Sequence, residues 1–92
     1  RIYIFVSDNR NIYTYDSNKR PKKLLSRCLL NEIPVFVLTG TDACAIAALK
    51  AYIQEARNQG CPDEFIQDLE TNILPDFKDF QEQEPELVKK PD

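Results

Sequence analysis

Val35-Phe36-Val37-Leu38-Thr39-Gly40-Thr41-Asp42 is the most apolar run of the chain, followed at once by a glycine turn bearing hydroxyls and a carboxylate. Val35 to Thr39 is rich in β-branched and aromatic side chains, which fit a pleated strand. It shows no polar alternation, so the reading is a central strand covered on both faces. After Gly40 the period changes. Ile46, Leu49, Ile53 and Ala56 recur at helical spacing, the stripe of an amphipathic helix. Thr41 or Asp42 can cap its N-terminus through a side-chain oxygen. Gly60 supplies the left-handed residue that ends a helix. The first long helix is therefore expected over about residues 42–59.

Upstream, Arg1 to Val6 alternates Ile2, Ile4 and Val6 with Tyr3 and Phe5, a strand pattern. Ser7 to Asn11 is turn-forming, and Ile12 to Tyr15 is again strand-like, so the pair reads as a β-hairpin. Asp16 to Lys23 is polar, contains Pro21 and reads as a loop. Leu24 to Leu30 stays open between a strand and a short helix. Asn31-Glu32-Ile33-Pro34 then breaks the chain. Downstream, Pro62 suits the first position of a second helix, with Asp63 and Glu64 in its favourable first turn. Ile66, Leu69, Ile73, Phe77 and Phe80 continue a helical stripe. Pro75 either kinks that helix or ends it near Ile73.

The order is strand, strand, ambiguous segment, strand, helix, helix. No strand follows a helix, so the sheet should be largely antiparallel. The expected fold is α+β: a small antiparallel sheet of three or four strands with two helices packed on one face. The expected core is Ile4, Val6, Ile12, Val35, Val37, Leu38, Ile46, Leu49, Ile53, Phe65, Ile66, Leu69, Ile73 and Phe77. At 92 residues and 10.7 kDa the chain has room for one domain, expected over residues 1–82 with a loose tail at 83–92.

Composition removes several chemistries. No apolar run approaches the ~20 residues that span a bilayer, so no membrane segment is expected. Arg1 to Val6 is too short for the apolar core of a signal peptide. The absence of histidine removes the imidazole base and the usual nucleophile pairs. Cys28, Cys44 and Cys61 contain no Cys-x-x-Cys pair, so neither a zinc site nor a redox pair is expected. Cys44, near a helix start, is the one candidate for a reactive thiol; all three cysteines also suit small buried hydrophobes. Free thiols favour a reducing compartment, and cytoplasmic residence is expected. No cofactor and no metal are expected, and the chain reads as a non-enzyme.

Charge is divided between the halves. Residues 1–40 carry seven Lys/Arg and three Asp/Glu, a net of +4, whereas residues 41–92 carry five and twelve, a net of −7. Lys19, Arg20, Lys22 and Lys23 form a basic patch; Asp63, Glu64, Asp68 and Glu70 head an acidic one. Such asymmetry marks a candidate interaction surface, although a solvated helical face would show it too. The hairpin tyrosines beside Lys19 to Lys23 suggest a base-stacking platform, but the net charge of −3 argues against nucleic acid. The turn Thr39, Gly40, Thr41 and Asp42 offers an alternative, a small-molecule or anion site at a helix N-terminus. It lacks the Gly-Lys-Ser/Thr ending of a P-loop, and Asp42 would repel a phosphate. The same residues serve equally well as a cap.

Pro34-Val35-Phe36-Val37-Leu38, followed by Asp42 and a helix holding Ala47, Leu49 and Tyr52, resembles small uncharacterised phage and prophage proteins. Those carry a Pro-Val-Phe-Val/Ile-Leu strand, a short turn with an Asp and an alanine-rich helix. The likeness covers about residues 33–60 and transfers no site residue. It implies a mobile-element or bacterial origin and a cytoplasmic location. The expected function is thus a non-enzymatic protein–protein interaction module of phage accessory or inhibitor type. Its partner would be a protein, with a homo-oligomer as one form.

Overall fold

The computed structural model describes residues 3–6, 11–14 and 20–91. They fall into two units, Arg1–Val37 and Leu38–Asp92.

In the first unit, β1 (Tyr3–Val6) and β2 (Asn11–Thr14) pair antiparallel, with Ile4 opposite Tyr13 and Phe5 opposite Ile12. α1 follows over Arg20–Leu30. Pro21 sits in its first turn, where a missing N–H costs nothing because that donor has no helical acceptor. Leu24, Leu25, Cys28 and Leu29 then share one helical face. The helix ends in a left-handed turn. Glu32 adopts φ 55°, and Ile33 N–H donates to Cys28 O at 2.9 Å, closing the six-residue C-terminal loop of a Schellman motif. Residues 33–39 run on without regular structure and, among the described residues, pair with no strand.

The second unit is helical. α2 (Ala45–Asn58) ends at Gly60, φ 73°, with Cys61 N–H donating to Ala56 O and Gly60 N–H to Arg57 O. α3 (Asp63–Asp68) starts from Pro62 and passes into a π-helical turn, Leu69–Ile73, and then into α4 (Leu74–Gln83). Pro75 therefore neither stops the helix nor starts a separate one. The wider turn absorbs it: Leu74 N–H reaches back five residues to Leu69 O, so the backbone is already out of α register where the proline ring arrives. α2 packs against both α3 and α4. Ala45, Ile53 and Ala56 of α2 and Phe65, Ile66, Leu69 and Ile73 of the long helix are buried, and the Tyr52 and Phe65 rings meet edge to face at 6.3 Å.

The expected α+β fold is not formed, and three elements account for the correction. Leu24 to Leu30, open between strand and helix in the sequence, is helix, part of α1. Val35 to Thr39 joins no sheet, and Val35 and Val37, placed in the core by the sequence reading, are 51% and 73% exposed. The two long helices bury their stripes against each other, so no sheet face is needed to cover them. Among the described residues the sheet is one two-stranded hairpin, and apart from it there is an isolated bridge between Asp42 and Lys89. Of the remaining expected core, Leu38, Ile46, Leu49 and Phe77 are half-buried; the side chains of Ile4, Val6 and Ile12 lie outside the described residues.

Candidate interaction surface

Thr39, Gly40, Thr41 and Asp42 do come together as one tight turn at the start of α2. Asp42 N–H donates to Thr39 O at 3.1 Å, and the Thr39 and Thr41 hydroxyls lie 2.8 Å apart. The Asp42 carboxylate accepts from Cys44 N–H at 2.7 Å, an Asx turn just ahead of the helix rather than a cap within it. Ala43 N–H donates to Lys89 O and Ala45 N–H to Asp42 O. Four successive amides, from Asp42 to Ala45, thus point at protein oxygens. The carbonyl side is engaged as well. The Gln81 amide donates to both Gly40 O and Asp42 O at 3.0 Å, and Lys89 N–H donates to Thr41 O. A Cβ on Gly40 would lie 3.0 Å from the Phe80 ring, so glycine is what lets the turn lie against α4. The turn is clasped by residues 80–89, including part of the stretch expected as a loose tail. Neither Gln81 nor Lys89 carried a sequence signal for this, because each is an ordinary polar residue on a polar stretch.

The acidic residues are spread around the long helix. Asp63 and Glu64 are exposed in the first turn of α3. Asp68 accepts from the Asn72 amide one turn on, and Glu70 pairs with Arg57 of α2. That ion pair is exposed and contributes about 0–1 kcal/mol. Of the basic patch, Arg20, Lys22 and Lys23 belong to α1, with side chains outside the described set, as Lys19 is altogether. Cys44 is exposed at the N-cap position of α2, and Cys61 is half-buried beside an open groove of about 570 Å³ lined by Arg57, Asp63, Gln67 and Glu70. Partial burial pushes the Tyr52 phenol pKa up, with Cys61 adding to the shift. Among the described residues no cluster of His, Cys, Asp and Glu could hold a metal ion, and no helix is long and apolar enough to cross a membrane.

Among the described residues, the largest run of exposed apolar side chains lies elsewhere. Leu29 and Leu30 at the end of α1 are 80% and 84% exposed, and Phe36 reaches 85%, with Ile33, Val35 and Val37 about half exposed or more. Six large apolar side chains within nine consecutive residues face water. Scattered exposed hydrophobes are normal, but a contiguous run of this length marks a contact surface. Of these residues, the sequence reading places Val35, Phe36 and Val37 in a strand covered on both faces, and Leu29, Leu30 and Ile33 outside the expected core. The signal for the other choice was present: the two helical stripes already suffice to fill one small core, which leaves a third apolar run without a place inside.

The chain matches no protein-family model, no curated protein and no solved structure.

Proposed function

We propose that this chain is a non-enzymatic protein–protein interaction module whose contact surface is the apolar stretch from Leu29 to Val37. The observation that carries the reading is the exposure of that stretch, Phe36 above all. Apolar area is the main source of affinity in association, and an aromatic side chain at the centre of a patch is the usual anchor. The lack of histidine and the scatter of the carboxylates over solvated helical faces leave little for acid–base chemistry. The resemblance to small phage and prophage proteins supports an accessory or inhibitor role in a bacterial cytoplasm. Anion binding at Thr39 to Asp42 has less support, because protein oxygens already occupy the amides an anion would need.

Photo-crosslinking from position 36 tests the reading. With benzoylphenylalanine at Phe36, irradiation in cells is expected to give discrete protein adducts, absent when the probe replaces exposed Glu64. A smear of products, or equal labelling from both positions, would sink the contact surface.

A further inference from the structure

Going beyond the contact surface, we propose that the Phe36–Val37 peptide bond is a processing site, hydrolysed by an endoprotease whose primary pocket takes a large aromatic side chain. Phe36 is 85% exposed and Val37 73%, and residues 33–39 carry no regular structure. A protease seats several residues of its substrate in its cleft at once. Exposed, irregular backbone is therefore cut first, and helical backbone only after it has opened. The bond lies one residue ahead of the division between the two units, so a single cut leaves the whole of Leu38–Asp92 on one fragment.

The neighbouring bonds that suit such a pocket are guarded. Leu29 and Leu30 are exposed, but they stand at the end of α1, where Asn31 N–H donates to Arg27 O and Ile33 N–H to Cys28 O. The bond after Ile33 runs to Pro34, whose ring nitrogen carries no N–H. Leu38 is half-buried, and the carbonyl of Thr39 beyond it accepts from Asp42 N–H. Leu87 is 48% exposed, yet its own N–H donates to Glu84 O, and the next two amides donate to Pro85 O and Thr41 O. Tyr52, Phe65, Phe77 and Phe80 lie within helices. Among the described residues, Phe36 is the one aromatic outside a helix or strand.

Hydrolysis consumes one water. Its oxygen joins the Phe36 carbonyl carbon, the C–N bond breaks, and one of its protons passes to the Val37 nitrogen; the protease supplies the base and the oxyanion donors. Near neutral pH the new acid gives its proton to the new amine, leaving a carboxylate on Phe36 and an ammonium on Val37. Two charges then stand in the middle of an apolar stretch, and a partner seated there is released. That release rests on the contact reading, whereas the cut itself does not. The buried residues, from Ala45 to Ile73, all stay on fragment 37–92, so the helical packing outlasts the cut.

Chymotrypsin, which has a hydrophobic slot for its primary pocket, is the probe. Timed digestion of the full chain under native conditions, followed by intact mass, is expected to give fragments 1–36 and 37–92 as the first products. Fragment 37–92 should then resist further cutting. Phe36→Asp should slow the first cut at least about tenfold, because an apolar pocket rejects a carboxylate. Val37→Pro keeps the phenyl ring and should block the cut as well, since the amide then lacks its N–H. Both positions are exposed, so the helical circular dichroism of each variant should match the parent, which separates a lost cut from a changed fold. A first cut at another bond, undiminished cleavage of either variant or rapid loss of fragment 37–92 would each overturn the proposal. Photo-adducts from position 36 without a cut there would remove the processing site and leave the contact surface; a cut without adducts would do the reverse.

Discussion

Glu32 occupies a backbone conformation that a side chain resists. Its φ of 55° ends α1 as Gly60, φ 73°, ends α2, yet only the second site has the residue that tolerates it without cost. A Cβ in the left-handed region costs about 1–2 kcal/mol, of which the looser unfolded chain returns part. Glu32→Gly is therefore expected to slow amide exchange in the last turn of α1, and Gly60→Ala to destabilise the protein by about 1 kcal/mol in urea. No exchange change at α1 would show that Glu32 is not strained. Glu55 gives a pH-linked prediction. Hydrogen bonds from the Gln59 and then the Asn58 side chain hold its carboxyl pKa below the ordinary value. A lowered folded pKa means the stabilisation is complete above the ordinary carboxylate range and is lost as pH falls through the lowered value. In an NMR titration, Gln59→Ala should move the Glu55 pKa upward, and an unchanged midpoint would remove that bond as the cause.

At the scale of elements, the turn before α2 depends on α4. Gln81 is part-buried, and its side-chain amide is a donor to two carbonyls, Gly40 O and, alongside Ala45 N–H, Asp42 O. Gln81→Ala leaves them without it and is expected to cost about 1–3 kcal/mol. Gly40→Ala drives a methyl against the Phe80 ring, and Phe80→Leu should recover part of the loss. Urea unfolding of the double variant, compared with the two singles, reads the coupling; strict additivity would deny the contact. The helices themselves were legible in the sequence because their evidence is local: a stripe at helical spacing, Gly60 at one end and Pro62 at the next start. The π-helical turn was not, since Pro75 reports an obstacle but not how the backbone passes it. α1 was obscured by length and by Pro21, which marks a loop in most contexts and a helix start in this one. Val35 to Leu38 was misplaced for a different reason. An apolar run states that burial is favourable without stating which surface provides it, and the interior had already been filled by Ile53, Phe65, Leu69 and Ile73.

At the scale of the molecule, every buried core residue among those whose burial is described lies after Leu38, within the second unit. A peptide of residues 38–92 is expected to be helical by circular dichroism and to melt cooperatively, though marginally given its size. A broad, featureless melt would place part of the stabilisation in the first unit. Within the second unit, Leu69→Ala should cost about 2–5 kcal/mol as a buried leucine with packed neighbours, and at the upper end the peptide would not fold. The turn residues of the candidate site were legible as a group, since Thr39 to Asp42 do converge. What they bind was not, because their partners Gln81 and Lys89 come from the far end of the unit.

That convergence has a consequence for where this unit can be placed. Thr41 and Ala43 exchange backbone hydrogen bonds with Lys89, so the path into the helices and the path out of them run side by side. A segment that enters and leaves at one point can be spliced into a surface loop of another protein without prising the host's loop ends apart. The same adjacency lets its two ends be joined by a short linker and the chain reopened at Gly60 to Pro62, giving a permuted sequence that keeps the α2 and 63–83 packing. Residues 42–89 thereby form a helical segment whose two ends lie side by side.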